Sequence, residues 1–204
     1  LVGEAIDFVG LGEFRKFRPK KLSGGLLRRL NIACGIAHKP DLIFFDEPTV
    51  AVDPQSRNAI LEGIQRLNAE GATVVYTSHY MEEVEQICSR VLIMEHGRHL
   101  ALGTCEELKN MIELGERISV ETLDLGEQGR QPDRIVNRIT ALDHVIEAKY
   151  DGRELAVQCT RGEHNLLDIL GILESENVSI GHLTSRPPTL NDVFLELTGT
   201  ALRD

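Results

Sequence analysis

Three apolar runs in this chain lack polar alternation: Leu42-Ile-Phe-Phe45, Thr73-Val-Val-Tyr-Thr77 and Val91-Leu-Ile-Met94. A strand with one wet face alternates apolar and polar residues, so such runs predict strands covered on both faces, as in parallel sheets flanked by helices. The intervening segments have helical grammar. Leu1, Ala5, Ile6 and Val9 share one face of an opening helix. Ser23 before Gly24-Gly25 opens a second helix, running to about His38 and ended by Pro40. Its stripe reads as Leu26 or Leu27, Leu30, Cys34 and Ala37, with Arg28 and Arg29 turned away. Asp53-Pro54 places a capping acid before proline at the first helical position. Ile60, Leu61, Ile64 and Leu67 then repeat at helical spacing to Glu70, and Gly71 stops the helix. Met81–Cys88 is helical, His96-Gly97 turns strand 90–95 into strand 98–102, and Thr104-x-x-Glu107 is a capping box for a helix to about Leu114. Residues 1–113 thus predict an α/β unit with a parallel sheet.

From Glu116 the strands alternate, as half-exposed antiparallel strands do. The order is strand 117–123, helix 132–141, strands 144–150 and 153–159 joined by Asp151-Gly152, helix 163–175 and strand 178–184. This β-α-β-β-α-β sequence predicts a small α+β, ferredoxin-like unit over 117–204. Pro187-Pro188 breaks the chain, and Thr189-x-x-Asp192 caps a last helix to about Leu197. The boundary between the two units is expected at 113–117.

Composition narrows the function classes. Hydrophobic residues at 42% exclude a disordered chain, and no apolar run approaches the ~18 residues of a membrane span. The net charge of −10 argues against a duplex nucleic-acid binder. The basic run Arg15–Lys21 reads as a solvated face. Cys34, Cys88, Cys105 and Cys159 form no CxxC pair, and His96 with His99 is too small a set for a closed metal site.

Four short motifs carry chemistry. Leu22-Ser-Gly-Gly25 sits at a helix start, where free N–H groups and the helix dipole favour a phosphate and glycines let it approach. Asp46-Glu47 ends an apolar strand, and the carboxyl ends of parallel strands are where ligands bind. One carboxylate there can order a hydrated divalent cation while its neighbour polarises an attacking water. Thr77-Ser-His79 ends the strand 73–77 and places His79 two residues beyond it, and Val52-Asp-Pro-Gln55 lies between that motif and Leu42-Ile-Phe-Phe-Asp-Glu-Pro48. Taken singly, each has an ordinary reading: a cap, two solvated acids, a structural histidine, a helix start.

In their order and spacing these motifs resemble the signature, Walker B, D-loop and switch-histidine segments of the ATPase subunit of ATP-binding cassette (ABC) transporters. The resemblance covers residues 1–113 and implies a partial P-loop NTPase core. It implies Asp46 as the Mg²⁺ ligand, Glu47 as the general base and His79 as a γ-phosphate contact that positions water. It also implies that Ser23, Gly24 and Gly25 hold the γ-phosphate of ATP bound to a second nucleotide-binding subunit, and that Asp53 couples the two sites. The implied cofactors are ATP and Mg²⁺. The implied partners are a second copy and a transmembrane permease at the cytoplasmic face of the membrane, with no nucleic acid. Ala51 departs from the family's glycine and Leu26 from its glutamine. Thr189-Leu-Asn-Asp-Val-Phe-Leu-Glu-Leu-Thr-Gly199 is similar to the ending of export ATPases.

No G-x-x-x-x-G-K-[ST] phosphate loop occurs in the sequence. The expectation is the C-terminal part of a nucleotide-binding domain plus an accessory domain. A catalytically inactive interaction fragment and a non-transport ABC ATPase are the alternatives. The resemblance puts the phosphate-loop strand between strands 73–77 and 90–95, so a gap in the sheet is expected there.

Overall fold

The computed structural model describes residues 1–126, 131–161 and 165–199. They divide into two compact units, Leu1–Val91 and Leu92 onward. By compactness the division falls at the start of a strand, earlier than the change in strand patterning at 113–117.

In the first unit the order is α1 (Val2–Phe8), α2 (Gly24–Ile36), β1 (Leu42–Asp46), α3 (Pro54–Ala69), β2 (Thr73–Thr77) and α4 (Met81–Ile87). β1 and β2 pair in parallel, from Leu42↔Thr73 to Asp46↔Thr77, which brings both carboxyl ends to one edge. Ser23 and Asp53 cap their helices as expected: the Ser23 hydroxyl accepts from Leu26 N at 3.3 Å and Asp53 Oδ1 from Ser56 N at 2.9 Å. Ile60, Leu61 and Ile64 of α3 are buried, and Gly71 ends that helix region at φ +105°.

Two expectations are corrected here. The buried face of α2 is Ile32, Ala33 and Ile36, whereas Cys34 is exposed. The helix can turn its arginines inward because both find backbone carbonyls: Arg28 bonds residues 46–48, and Arg29 Nη1 donates to Val9 O at 3.3 Å. The strands, moreover, are covered on one face only. Ile43 and Phe45 are buried, but Phe44 is 70% exposed, and Val75 of β2 is also exposed. The lack of alternation reports apolar residues on both faces, but one of those faces is open in a two-stranded sheet.

The second unit opens with β3 (Val91–Glu95) and β4 (Arg98–Gly103), which form their own two-stranded sheet. β2 and β3 therefore lie in separate sheets, as expected. His96 at φ +47° and Gly97 at φ +74° make the tight turn between β3 and β4. α5 (Cys105–Lys109) has both capping-box bonds of Thr104 and Glu107. It stops five residues short of the expected end, because Leu114 already begins β5 (Leu114–Thr122).

There follow α6 (Pro132–Thr140), β6 (Val145–Tyr150), β7 (Glu154–Thr160), α7 (Asn165–Ser175), β8 (Ile180–Arg186) and α8 (Leu190–Thr198). The first residues expected of α7, 163 and 164, lie outside the described residues. The sheet order is β6-β7-β5-β8, with every neighbouring pair antiparallel, which is the ferredoxin-like arrangement. Ile118, Val120, Leu155 and Val157 pack with Ile139 of α6 and with Ile169 and Leu173 of α7. Gly115 is required where β5 starts: a Cβ there would lie 2.4 Å from Arg161 N.

Candidate functional site

The parallel register sets Asp46 opposite Thr77. The Thr77 hydroxyl donates to Asp46 Oδ1 at 2.6 Å and accepts from Glu47 N at 3.2 Å, and Glu47 N also donates to Thr77 O at 3.1 Å. Immediately beyond, the chain turns sharply, with Glu47 at φ +47°. That region is costly for a residue bearing a Cβ. The turn carries the Glu47 carboxylate to the loop after β2, where Oε1 lies 3.0 Å from His79 Nδ1. A carboxylate only accepts, so it fixes the proton on Nδ1 and leaves Nε2 as the ring's other functional atom. Glu47 Oε2 is buried with no partner among the described residues. Such an unsatisfied acceptor lowers stability, and it is the kind of cost that functional sites retain.

Of the residues expected from sequence, the structure brings Asp46, Glu47 and His79 together. Among the described residues no hydrogen bond joins Ser23, Gly24, Gly25 or Asp53 to them. A Cβ on Gly24 or Gly25 would meet nothing within 4 Å, and neither has a positive φ. The packing therefore does not demand glycine there, and the start of α2 is open to an approaching group. Asp53 acts as a helix cap; its hydrogen bonds from Ser56, side chain first and then backbone, hold its carboxyl below the usual range.

Asp46 fits the one-carboxylate contribution usual for Mg²⁺ at phosphate sites, where waters and phosphate oxygens complete the shell. Among the described residues no group of three or more His, Cys, Asp or Glu could form a cage of protein ligands.

Sequence reasoning missed three supporting groups. Thr77, the first residue of the Thr77-Ser-His79 motif, was given no role of its own. Arg28, read as solvent-facing, donates from Nη2 to the carbonyls of Asp46 and Glu47. Glu83, one of two acids in the first turn of α4, is buried. For Arg29 a signal existed: it precedes Ile32, Ala33 and Ile36 at helical spacing, so it shares their face.

Comparison with known proteins agrees with this architecture. The family model described as "ABC transporter" matches residues 2–50, and that described as "ATP-binding protein DrrA1-3-like, C-terminal domain" matches residues 103–198. The chain is 37% identical over 203 residues to the linearmycin resistance ATP-binding protein LnrL of Bacillus subtilis (strain 168), covering 98% of this chain and 63% of that protein. It is 33% identical over 199 residues to the Nod factor export ATP-binding protein I of Rhizobium sp. (strain N33), covering 98% and 60%. A solved structure described as "Structure of ATP binding subunit of ABC transporter" superposes with a TM-score of 0.50 at 25% identity, covering 54% of this chain and 46% of that one.

The fold is that of the nucleotide-binding domains of ABC proteins. The chain's homologues are ATP-binding subunits of ABC transporters, and the matches fit the C-terminal portion of such a subunit. The chain spans about three-fifths of the length of the curated relatives it matches. No described helix is long and apolar enough to cross a membrane.

Proposed function

We propose that the whole protein binds and hydrolyses ATP between two head-to-tail subunits and drives export through a transmembrane permease at the cytoplasmic membrane face. The observation that carries this reading is the 3.0 Å contact of Glu47 Oε1 with His79 Nδ1, at the carboxyl ends of two parallel strands and next to Asp46. Glu47 is the base: its carboxylate takes a proton from water, and His79 orients it. Asp46, steadied by Thr77, holds Mg²⁺, which neutralises phosphate charge when bound. Ser23, Gly24 and Gly25 cradle the phosphate bound by the second subunit, and Asp53 links the two sites. Residues 1–113 belong to the nucleotide-binding domain and 117–204 to an accessory domain. Export is favoured because relatives carry the names of resistance and export proteins.

The phosphate loop, which supplies most phosphate contacts in this class, is not in the sequence. Alone, therefore, the 204-residue chain neither binds ATP tightly nor turns it over; micromolar affinity with steady turnover would overturn that part. With the phosphate-loop segment supplied, Glu47→Gln should retain ATP binding and slow hydrolysis by about 10²–10⁴-fold. Normal turnover in Glu47→Gln would mean the base is misassigned.

A further inference from the structure

Glu83 is 3% exposed, yet it carries a carboxylate. Three hydroxyls donate to its Oε2: Thr49 Oγ1 at 2.9 Å, Tyr76 OH at 2.5 Å and Ser78 Oγ at 3.0 Å. Arg57 Nε is 3.2 Å from Oε1, a charge contact not aligned as a hydrogen bond. These partners come from distinct places. Thr49 follows Glu47 by two residues, Tyr76 lies within β2, Ser78 sits between Thr77 and His79, and Arg57 belongs to α3, the helix that Asp53 caps. Burial, and then the bond to Glu83, push the Tyr76 phenol well above its ordinary value, so it stays a donor.

A second route runs outward from the same carboxylate. The Ser78 hydroxyl accepts from Tyr80 N at 3.0 Å. The Arg57 guanidinium lies 4.4 Å from the centre of the Tyr80 ring, and that ring lies 4.2 Å, centre to centre, from His79. One buried carboxylate is thus tied to the segment after Glu47 and, through Ser78, Tyr80 and Arg57, to the imidazole that Glu47 contacts.

We propose that Glu83 is a positioning residue, the shared anchor that sets His79 at contact distance from Glu47. Its catalytic consequence rests on the ATPase reading above; its geometric consequence does not. Glutamine cannot replace it, because an amide presents one acceptor and its NH₂ faces either a hydroxyl donor or Arg57. A residue that served only packing would lower stability without moving the His79 ring.

The test has two arms. In the 204-residue chain, the His79 ring ¹H and ¹⁵N resonances are recorded at fixed pH for wild type, Glu83→Gln, Ser78→Ala and Ile64→Val. Ile64 is a buried α3 residue outside the network, so its variant reports destabilisation alone. Glu83→Gln and Ser78→Ala are expected to shift the ring resonances and Ile64→Val to leave them in place. In the second arm, with the phosphate-loop segment supplied, Glu83→Gln should lower kcat by about tenfold or more and keep KM for ATP within about twofold, the pattern of misplaced groups. Unmoved His79 resonances in folded Glu83→Gln overturn the proposal. Should that variant not fold, unmoved resonances in Ser78→Ala overturn it. If Glu47→Gln hydrolyses normally, the ATPase reading fails and the resonance arm still decides for Glu83.

Discussion

Arg28 holds Glu47 by its backbone. Nη2 lies 2.5 Å from the Glu47 carbonyl and 2.6 Å from that of Asp46, and Nε reaches Pro48 O at 3.3 Å. Three carbonyls of a turn strained at φ +47° converge on one guanidinium. A lysine ammonium offers a point charge rather than a planar fork and cannot serve all three in that geometry. Arg28→Lys should lower unfolding stability by about 1–3 kcal/mol, the worth of charge-assisted hydrogen bonds, and Arg28→Ala by at least as much. Denaturant titration reads this directly. A change within about 0.5 kcal/mol, the scatter of neutral surface substitutions, would show that the clamp is incidental. Because Arg28 and Ser23 sit at the same end of α2, the clamp also gives a covalently short path between the open glycine pair and the candidate base.

Ala51 sits at φ +59°, in a left-handed conformation that costs an L-residue roughly 1–2 kcal/mol. The family's glycine at this position has a plain physical reason, and this chain forgoes it. Ala51→Gly removes the clash but gives the unfolded chain more freedom. The net is expected to be a gain of about 0.5–1 kcal/mol, visible as a higher denaturant midpoint with unchanged slope. A lower midpoint would mean that the methyl makes contacts worth more than the strain.

Arg28 and Glu83 mark where sequence reading stops. Caps are local, so Ser23, Asp53, Thr104 and Thr189 were legible as helix starts, and all four accept the expected backbone bond. The parallel pairing that assembles Asp46, Glu47 and His79 was also legible, through the strands and their motifs. The Arg28 contacts span 18 to 20 residues and the Thr49–Glu83 bond spans 34, and no periodicity encodes them. Glu82 and Glu83 look alike in sequence, and the structure buries Glu83 beside Val84. The open faces of β1 and β2 were illegible for another reason. Apolar content records what a strand can bury, while the number of neighbouring strands and helices decides what it does bury.

Asp192 ties the end of the chain's second unit to pH. Its Oδ2 accepts from Thr189 N and Oγ1, each at 2.8 Å, and Oδ1 is 2.6 Å from Arg117 Nη2. Burial raises its pKa, but the Thr189 bonds and the Arg117 guanidinium outweigh that and hold the carboxyl below its ordinary range. A depressed carboxyl contributes stability above its unfolded pKa, about 3.9, and loses it as pH falls through the folded value. Asp192→Asn should therefore cost about 1–2 kcal/mol near neutral pH, since Arg117 loses its charge partner. The gap to wild type should close as pH falls below about 4, the ordinary range of an aspartate, through the lower folded value. Unfolding titrations of both proteins across that range test it. A gap independent of pH would assign the loss to shape rather than charge.

The uneven sheets predict uneven protection. β1–β2 and β3–β4 are each two-stranded, so among the described residues every one of these strands has an unpaired edge. In the ferredoxin-like sheet β5 and β7 are paired on both sides. Each strand buries one face, Leu155 and Val157 in β7 and Val91 and Ile93 in β3, but the outer face of β3 is apolar, with Leu92 and Met94 49% and 52% exposed. Two-stranded pairs are marginal in water, and amides open at a free energy set by their local packing. Amides of Thr73–Thr77 and Val91–Glu95 should therefore exchange at least about 10²-fold faster than those at the centre of β7, which exchange only on near-global opening. The open apolar faces also favour self-association, so the measurement is made at a concentration where sedimentation shows a monomer. Equal protection of β2, β3 and β7 in that monomer would show that the two small sheets are as stable as the large one.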